Sequence, residues 1–335
     1  MINAIFGERI AAVGVVETTF REQEFTHKDK GLVLVDLPGC GTMNWPRETY
    51  IERLKLLTYD CFLLVTTHRF TENDVFLYRE LTSCGKPCFV LRNQFDRAVE
   101  DGFHDNGLSE EEVRRQIEIN IRANLQPASP ERIYFTSGRH PIKYDLARLL
   151  NDVSDSLSGI KRERFVADMA SYSTDSLKKK REVALELMPV YAGLAAANGL
   201  NPIPGLDVAA DVGLLLRMSK AIAQIYGLTS QHVEYIKRLL GPKAIPGILA
   251  KVAQFAAKYL VKEGVMLLLK RVATRMTAKE ALKFLPFVGP LIAAGIGWKA
   301  TFMLGEQMID VAEKNAREVL EAIFHGLERE SANAE

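Results

Sequence analysis

The sequence predicts an α/β unit built on a doubly wound, largely parallel sheet, followed by a second unit that is all α. Three observations carry that assignment. Short apolar runs that stop at small or polar turns recur at Leu32–Val35, Cys61–Val65, Phe89–Arg92 and Ile133–Phe135. They are short and rich in β-branched and aromatic residues, which argues strand over helix. Segments with helix-start chemistry lie between them. Near Ser158-Gly159 the alternation stops, and the chain becomes rich in Ala, Gly, Leu and Val, broken by Pro-Gly corners. The expected units are residues 1–157 and 158–330, with a polar tail at 331–335 that frays.

Taken in order, Met1–Glu8 reads as a helix. Thr19–Thr26 and Gly31–Asp36, separated by His27-Lys28-Asp29-Lys30, read as a hairpin. Thr49–Leu57 is the next expected helix. Thr71-Glu72-Asn73-Asp74 is a helix start with acids in its first turn, and that helix runs to about Ser83. Ser109 followed by Glu110, Glu111 and Glu112 caps a further helix that reaches about Leu125, before Pro127. In the second unit Lys178-Lys179-Lys180-Arg181 lies on a long helix, read as a solvated face with contact to anionic lipid as the alternative. Corners fall at Asn201–Gly205, Ile245–Gly247 and Leu285–Pro290, where Pro at helix starts and Gly at helix ends suit tight hairpins. Phe284–Leu304 is the most hydrophobic stretch and is about long enough to span a bilayer. Pro286, Pro290, Lys299 and the packing glycines Gly289, Gly295 and Gly297 favour a buried hairpin over reversible membrane contact or a span. Glu306–Glu328 is expected to be amphipathic.

Composition bounds the rest. With 335 residues, 47% hydrophobic and 25% charged, the chain can bury an ordinary core in each of two domains. A net charge of +1 gives no argument for a nucleic-acid partner. Cys40, Cys61, Cys84 and Cys88 lack zinc spacing and read as reduced thiols of a cytoplasmic protein, with peripheral membrane attachment left open.

The chemistry lies at the ends of the strand-like runs, where open α/β sheets bind ligands. Asp36 and Gly39 form D-x-x-G. An acid there helps hold Mg²⁺, and a glycine three residues on lets a main-chain N–H approach a terminal phosphate. Asn93-Gln94-Phe95-Asp96 follows a later strand and matches N-K-x-D except at Gln94, which stands in place of the lysine whose stem covers the base. Asp96 would accept from guanine's ring N–H and exocyclic amine, a donor pair that adenine lacks. Thr136-Ser137-Gly138 is a small polar turn whose backbone suits the guanine carbonyl.

Gly14-Val15-Val16-Glu17-Thr18-Thr19, Asp36-Leu37-Pro38-Gly39, Tyr59–Val65, Arg69–Asp74 and Arg92–Asp96 together resemble the immunity-related GTPases and their bacterial relatives. The resemblance is close over residues 1 to about 157 and covers the remainder only in helical character. It implies a P-loop-GTPase-like sheet and a GTP/GDP ligand with Mg²⁺. Thr19 and Asp36 would contact the metal, with Thr18 a register alternative to Thr19. Asn93, Gln94, Asp96, Thr136 and Ser137 would lie at the base. It also implies slow hydrolysis that rises when two nucleotide domains meet as a homodimer or oligomer; His68 and Arg69, beside the sheet's functional edge, read as a solvated loop, with such a contact as the alternative. No water-activating residue is assigned. Cys40 stands where many GTPases carry glutamine, and it reads as a turn residue.

One departure is large. No G-x-x-x-x-G-K-[ST] occurs in the 335 residues, so the phosphate loop and the first central strand are missing from the pattern. Leu32–Val35 and Cys61–Val65 are then expected to leave a slot unfilled. The expectation is that Met1 is an internal methionine and that the chain as given is inactive. The alternative is a non-catalytic pseudo-GTPase scaffold.

Overall fold

The structure is a computed structural model that describes residues 1–12, 21–26, 31–126, 130–198, 206–240, 245–275 and 289–332. Two compact units emerge, Met1–Tyr172 and Ser173–Glu335. The first is α/β and the second is all α, the class expected from the alternation of short apolar runs with capped helices.

In the first unit, β1 (Gln23–Thr26) and β2 (Val33–Asp36) pair antiparallel with Gln23 opposite Asp36. A separate parallel sheet runs in the order β3 (Phe62–Thr66), β4 (Cys88–Arg92), β5 (Ile133–Phe135). Among the described residues β2 and β3 each pair along one edge only. Val33 on β2 and Val65 on β3 stay 44% and 41% exposed, whereas all three residues of β5 are buried.

Short-range chemistry sets the helix starts. The helix α1 (Ile2–Phe6) ends at Gly7, whose φ of 64° is one that glycine adopts without steric cost. After α2 (Arg47–Arg53), α3 (Glu72–Ser83) is closed by a capping box in which Thr71 and Asp74 satisfy each other's main-chain N–H groups. Ser109 and Glu112 do the same for α5 (Glu110–Leu125), which follows α4 (Phe95–Asn106). Two more helices, α6 (Leu146–Ser156) and α7 (Gly159–Asp168), complete the unit. On α6, Leu146, Leu149, Leu150 and Val153 form one buried face at helical spacing. The main core lies under the parallel sheet and joins Tyr78, Val90, Phe95, Val113, Ile121 and Phe135.

The helix expected over Thr49–Leu57 breaks instead. It stops at Leu54, Lys55 turns left-handed with φ 47°, and a 3₁₀ turn covers Leu56–Thr58. In one continuous helix Leu54 and Leu56 would point about 200° apart. The break lets both enter the cluster of Tyr50, Leu54, Leu56 and Leu81.

In the second unit α8 (Thr174–Asn198) packs antiparallel along α13 (Gly289–Ala332). Arg181 reaches Asp310 and Glu313 at 2.8 Å each, and a Cβ placed on Gly305 would lie 2.1 Å from the Met188 sulfur. Around them lie α9 (Leu206–Ile225), α10 (Ser230–Leu240), α11 (Ile245–Phe255) and α12 (Lys262–Arg275), with a π-helical turn at Ala256–Leu260. The basic run of α8 is solvated only in part, with Lys178 exposed. Lys180 is buried and donates to the Ile225 carbonyl, and Arg181 is ion-paired. Two of its four cations are therefore spent inside the bundle. The corners at Asn201–Gly205 and over most of Leu285–Pro290, and the first part of Phe284–Leu304, lie outside the described residues. Among the described residues no helix is long and apolar enough to cross a membrane.

Candidate functional site

The site is built from the carboxyl ends of the strands in the first unit. At the end of β4, the Asn93 main-chain N–H donates to the Thr66 carbonyl at 2.8 Å. Its side-chain oxygen accepts from the Thr136 hydroxyl at 3.4 Å. Gln94 has φ 54°, an uncommon conformation for a side-chain-bearing residue, and it turns the chain abruptly from strand into α4. That turn lets Phe95 N–H reach the Thr136 carbonyl at 3.0 Å, while Thr136 N–H reaches the Arg92 carbonyl at 2.9 Å. The ends of β4 and β5 are thus laced together. Thr136 and Ser137 are fully buried, and the Ser137 hydroxyl accepts from Arg139 and His140 N–H at 3.1 Å each, which folds the turn.

Asp96 stands in the first turn of α4 and is 8% exposed. Among the described residues its carboxylate has no hydrogen-bond or ion-pair partner. A carboxylate without a protein partner at this strand end is open to a ligand presenting two N–H groups. Gln94 does not reach Asp96; its side-chain oxygen lies 3.4 Å from an Arg97 nitrogen.

Asp36 ends β2, half-buried. It faces the Met1 amino group, whose pKa is pushed down by burial and partly restored by the Asp36 charge. The same amino group lies 3.8 Å from where a Cβ would sit on Gly138. The amino end of α1 thus lies beside both the Asp36 strand end and the turn that follows β5. Gly39 is exposed in the loop after β2. Thr19 and its register alternative Thr18 lie outside the described residues. Among the described residues no group of three or more His, Cys, Asp or Glu side chains could hold a metal on its own. Asp36 suits Mg²⁺ only as one ligand among phosphate oxygens and waters, the usual way that ion is held.

Several supporting residues had no signal in the sequence. Arg114 on α5 pairs with Asp145 at 2.8 Å and stacks over the Phe135 and Phe95 rings at 4.4 and 5.4 Å. Asp145 also accepts from Phe135 N–H at 2.9 Å, so one ion pair braces both the β5 end and the residue preceding Asp96. Arg92 is buried with its Nε unpartnered, and it donates to the His68 carbonyl at 2.6 Å, tying the exposed His68-Arg69 loop to β4. All four cysteines are free thiols, and burial pushes Cys61 and Cys88 up to about 12.

Comparison with known proteins places this geometry in context. The family model for interferon-inducible GTPase (IIGP) matches residues 7–323. The chain is 26% identical to "Interferon-inducible GTPase 5" of Rattus norvegicus over 332 residues, covering 95% of this chain and 71% of that one. It is 26% identical to "Interferon-inducible GTPase 1" of Mus musculus over 240 residues, covering 69% and 57%. Identity rises to 34% over 154 residues of "Immunity-related GTPase family M protein" of Rattus norvegicus, covering 45% of this chain and 36% of that one.

Proposed function

The chain belongs to the interferon-inducible GTPase family, and from that premise we propose that it is a guanine-nucleotide-binding switch or slow GTPase. The observation that carries the reading is Asp96, a buried carboxylate without a protein partner beside the laced ends of β4 and β5. In the proposed complex Asp96 accepts from the guanine ring N–H and amine. Asn93 holds Thr136 in place, Gln94 lies along the base, and the Ser137 main-chain N–H, in the turn that Thr136 anchors, faces its carbonyl. Gly39 presents its N–H to the terminal phosphate, and Asp36 with Thr19 contributes to Mg²⁺, which would supply charge neutralisation at the phosphates.

We assign the second unit the task of reading nucleotide state out as self-assembly or attachment to a membrane. The exposed His68 and Arg69 support a homodimer or oligomer through the nucleotide unit. Support for attachment is apolar rather than electrostatic: Trp298, stacked on Phe302, and Met303 stay 42% and 49% exposed on α13. The non-catalytic scaffold is the second reading, favoured by the open edges of β2 and β3 and by the lack of a phosphate-loop motif in the sequence. Equilibrium binding of GTP, XTP and ATP at millimolar concentration separates the two. A preference for GTP of about tenfold or more over both is expected from Asp96, and equal weak binding of all three would leave the scaffold.

A further inference from the structure

The loop that follows Asp36 is held in a way that the strand-end pattern does not require. Tyr50 on α2 is 3% exposed, and its hydroxyl donates to the Pro38 carbonyl at 2.5 Å. Its ring is fixed by packing with Leu54, Leu56 and Leu81 and by an edge contact with Trp45, ring centroids 6.4 Å apart. From α3, Asn73 donates to the Cys40 carbonyl at 3.0 Å. Gly41, with φ 80°, permits that approach, since a Cβ there would sit 2.0 Å from the Asn73 amide nitrogen. Between these anchors the Thr42 hydroxyl donates to the Gly39 carbonyl at 3.2 Å. Three consecutive carbonyls, Pro38, Gly39 and Cys40, are therefore engaged. Among the described residues the Gly39 and Cys40 N–H groups have no acceptor.

The consequence follows from peptide geometry. In a trans peptide the C=O and the following N–H point in opposite directions. The Pro38 carbonyl is drawn to Tyr50 inside the core, so the Gly39 N–H of the same peptide must face outward. We propose that the Tyr50 hydroxyl is a positioning group that sets the facing of the Pro38–Gly39 peptide, with Asn73 as its second anchor, so that Gly39 N–H is preset toward an anionic oxygen. The inference rests on the reading of Gly39 as the contact to the terminal phosphate of GTP, and it adds the groups that orient that contact. Burial raises the Tyr50 pKa well above the ordinary phenol value, which keeps the hydroxyl a donor across the working pH range. Without it the buried Pro38 carbonyl would be left unsatisfied, which favours a peptide turned toward water.

The test uses the full chain with ¹³C′-proline and ¹⁵N-glycine. The sequence contains three Pro-Gly pairs, at 38–39, 204–205 and 246–247, so three amide signals are selected. With saturating millimolar Mg²⁺–GTPγS the Gly39 amide of the wild type should move clearly more than with Mg²⁺–GDP. Tyr50→Phe should cut that difference at least by half, with the amide signals of β3, β4 and β5 in a uniformly ¹⁵N-labelled sample reporting that the first unit of the variant is folded. Asn73→Ala leaves the Tyr50 ring packing untouched and should also reduce the difference, which covers the case in which Tyr50→Phe does not fold. A full difference retained in either folded variant overturns the positioning role while leaving the GTP reading intact. Equal movement with both nucleotides in the wild type overturns the Gly39 reading and this inference with it.

Discussion

Replacing Asp96 by Asn should exchange guanine for xanthine at little cost to the fold. Asp96 is 8% exposed and its carboxylate is unpartnered among the described residues, so Asn removes no protein contact. Stability should stay within about 0.5 kcal/mol of wild type or rise slightly, as for substitutions that break no named contact. Ligand binding is affected far more. Each hydrogen bond to a charged group contributes about 1.5–3 kcal/mol, and the amide oxygen of Asn retains at most one of the two. The amide NH₂ also meets the guanine amine donor to donor. A loss of about 2–4 kcal/mol in GTP binding follows, roughly 30- to 1,000-fold. Xanthine carries a carbonyl in place of that amine, so XTP should bind Asp96→Asn better than GTP does. Competition of GTP and XTP by equilibrium dialysis, with urea unfolding as the control for stability, reads both effects. An unchanged GTP to XTP ratio in a stably folded variant would refute the base-recognition argument.

Two further outcomes follow from the same geometry. Ser109→Ala removes the cap of α5 and its exchange with Glu112, and should lower unfolding free energy by about 1 kcal/mol in urea titration. Cys61 and Cys88, held up to about 12 by burial, keep their protons in the folded chain while the unfolded thiols lose theirs above about pH 8.5–9. Their contribution is therefore complete below that pH and declines as pH rises toward 12, by up to about 1.4 kcal/mol per unit for each thiol. Urea midpoints from pH 8 to 10.5 should fall more steeply in wild type than in a Cys61→Ala, Cys88→Ala variant.

What could be read without the fold was whatever a few neighbouring residues decide. Thr71 with Asp74 and Ser109 with Glu112 each close a capping box across three positions. The runs that became β2, β3, β4 and β5 announce themselves by length and β-branching, and D-x-x-G and N-Q-F-D sit at the ends of β2 and β4 for the same local reason. Asn93 and Thr136 were each expected at the base, but the lacing of the two strand ends was not, since it needs Gln94 to turn left-handed.

Contacts between residues distant in sequence were settled only by the tertiary structure. Lys180 reads as one cation in a solvated run, and only the approach of α9 puts the Ile225 carbonyl against it. The break at Lys55 follows from the need to bury Leu54 and Leu56 on one side. Arg114 carries no motif, yet it lies on two aromatic rings and an aspartate that come from three other parts of the chain. The sequence by itself determined the class of each unit and the strand ends where chemistry is placed, because hydrophobic period and capping act over a few residues. Which buried groups find partners, and which carboxylate is left waiting for one, was decided by packing, because that depends on segments brought together only when the chain folds.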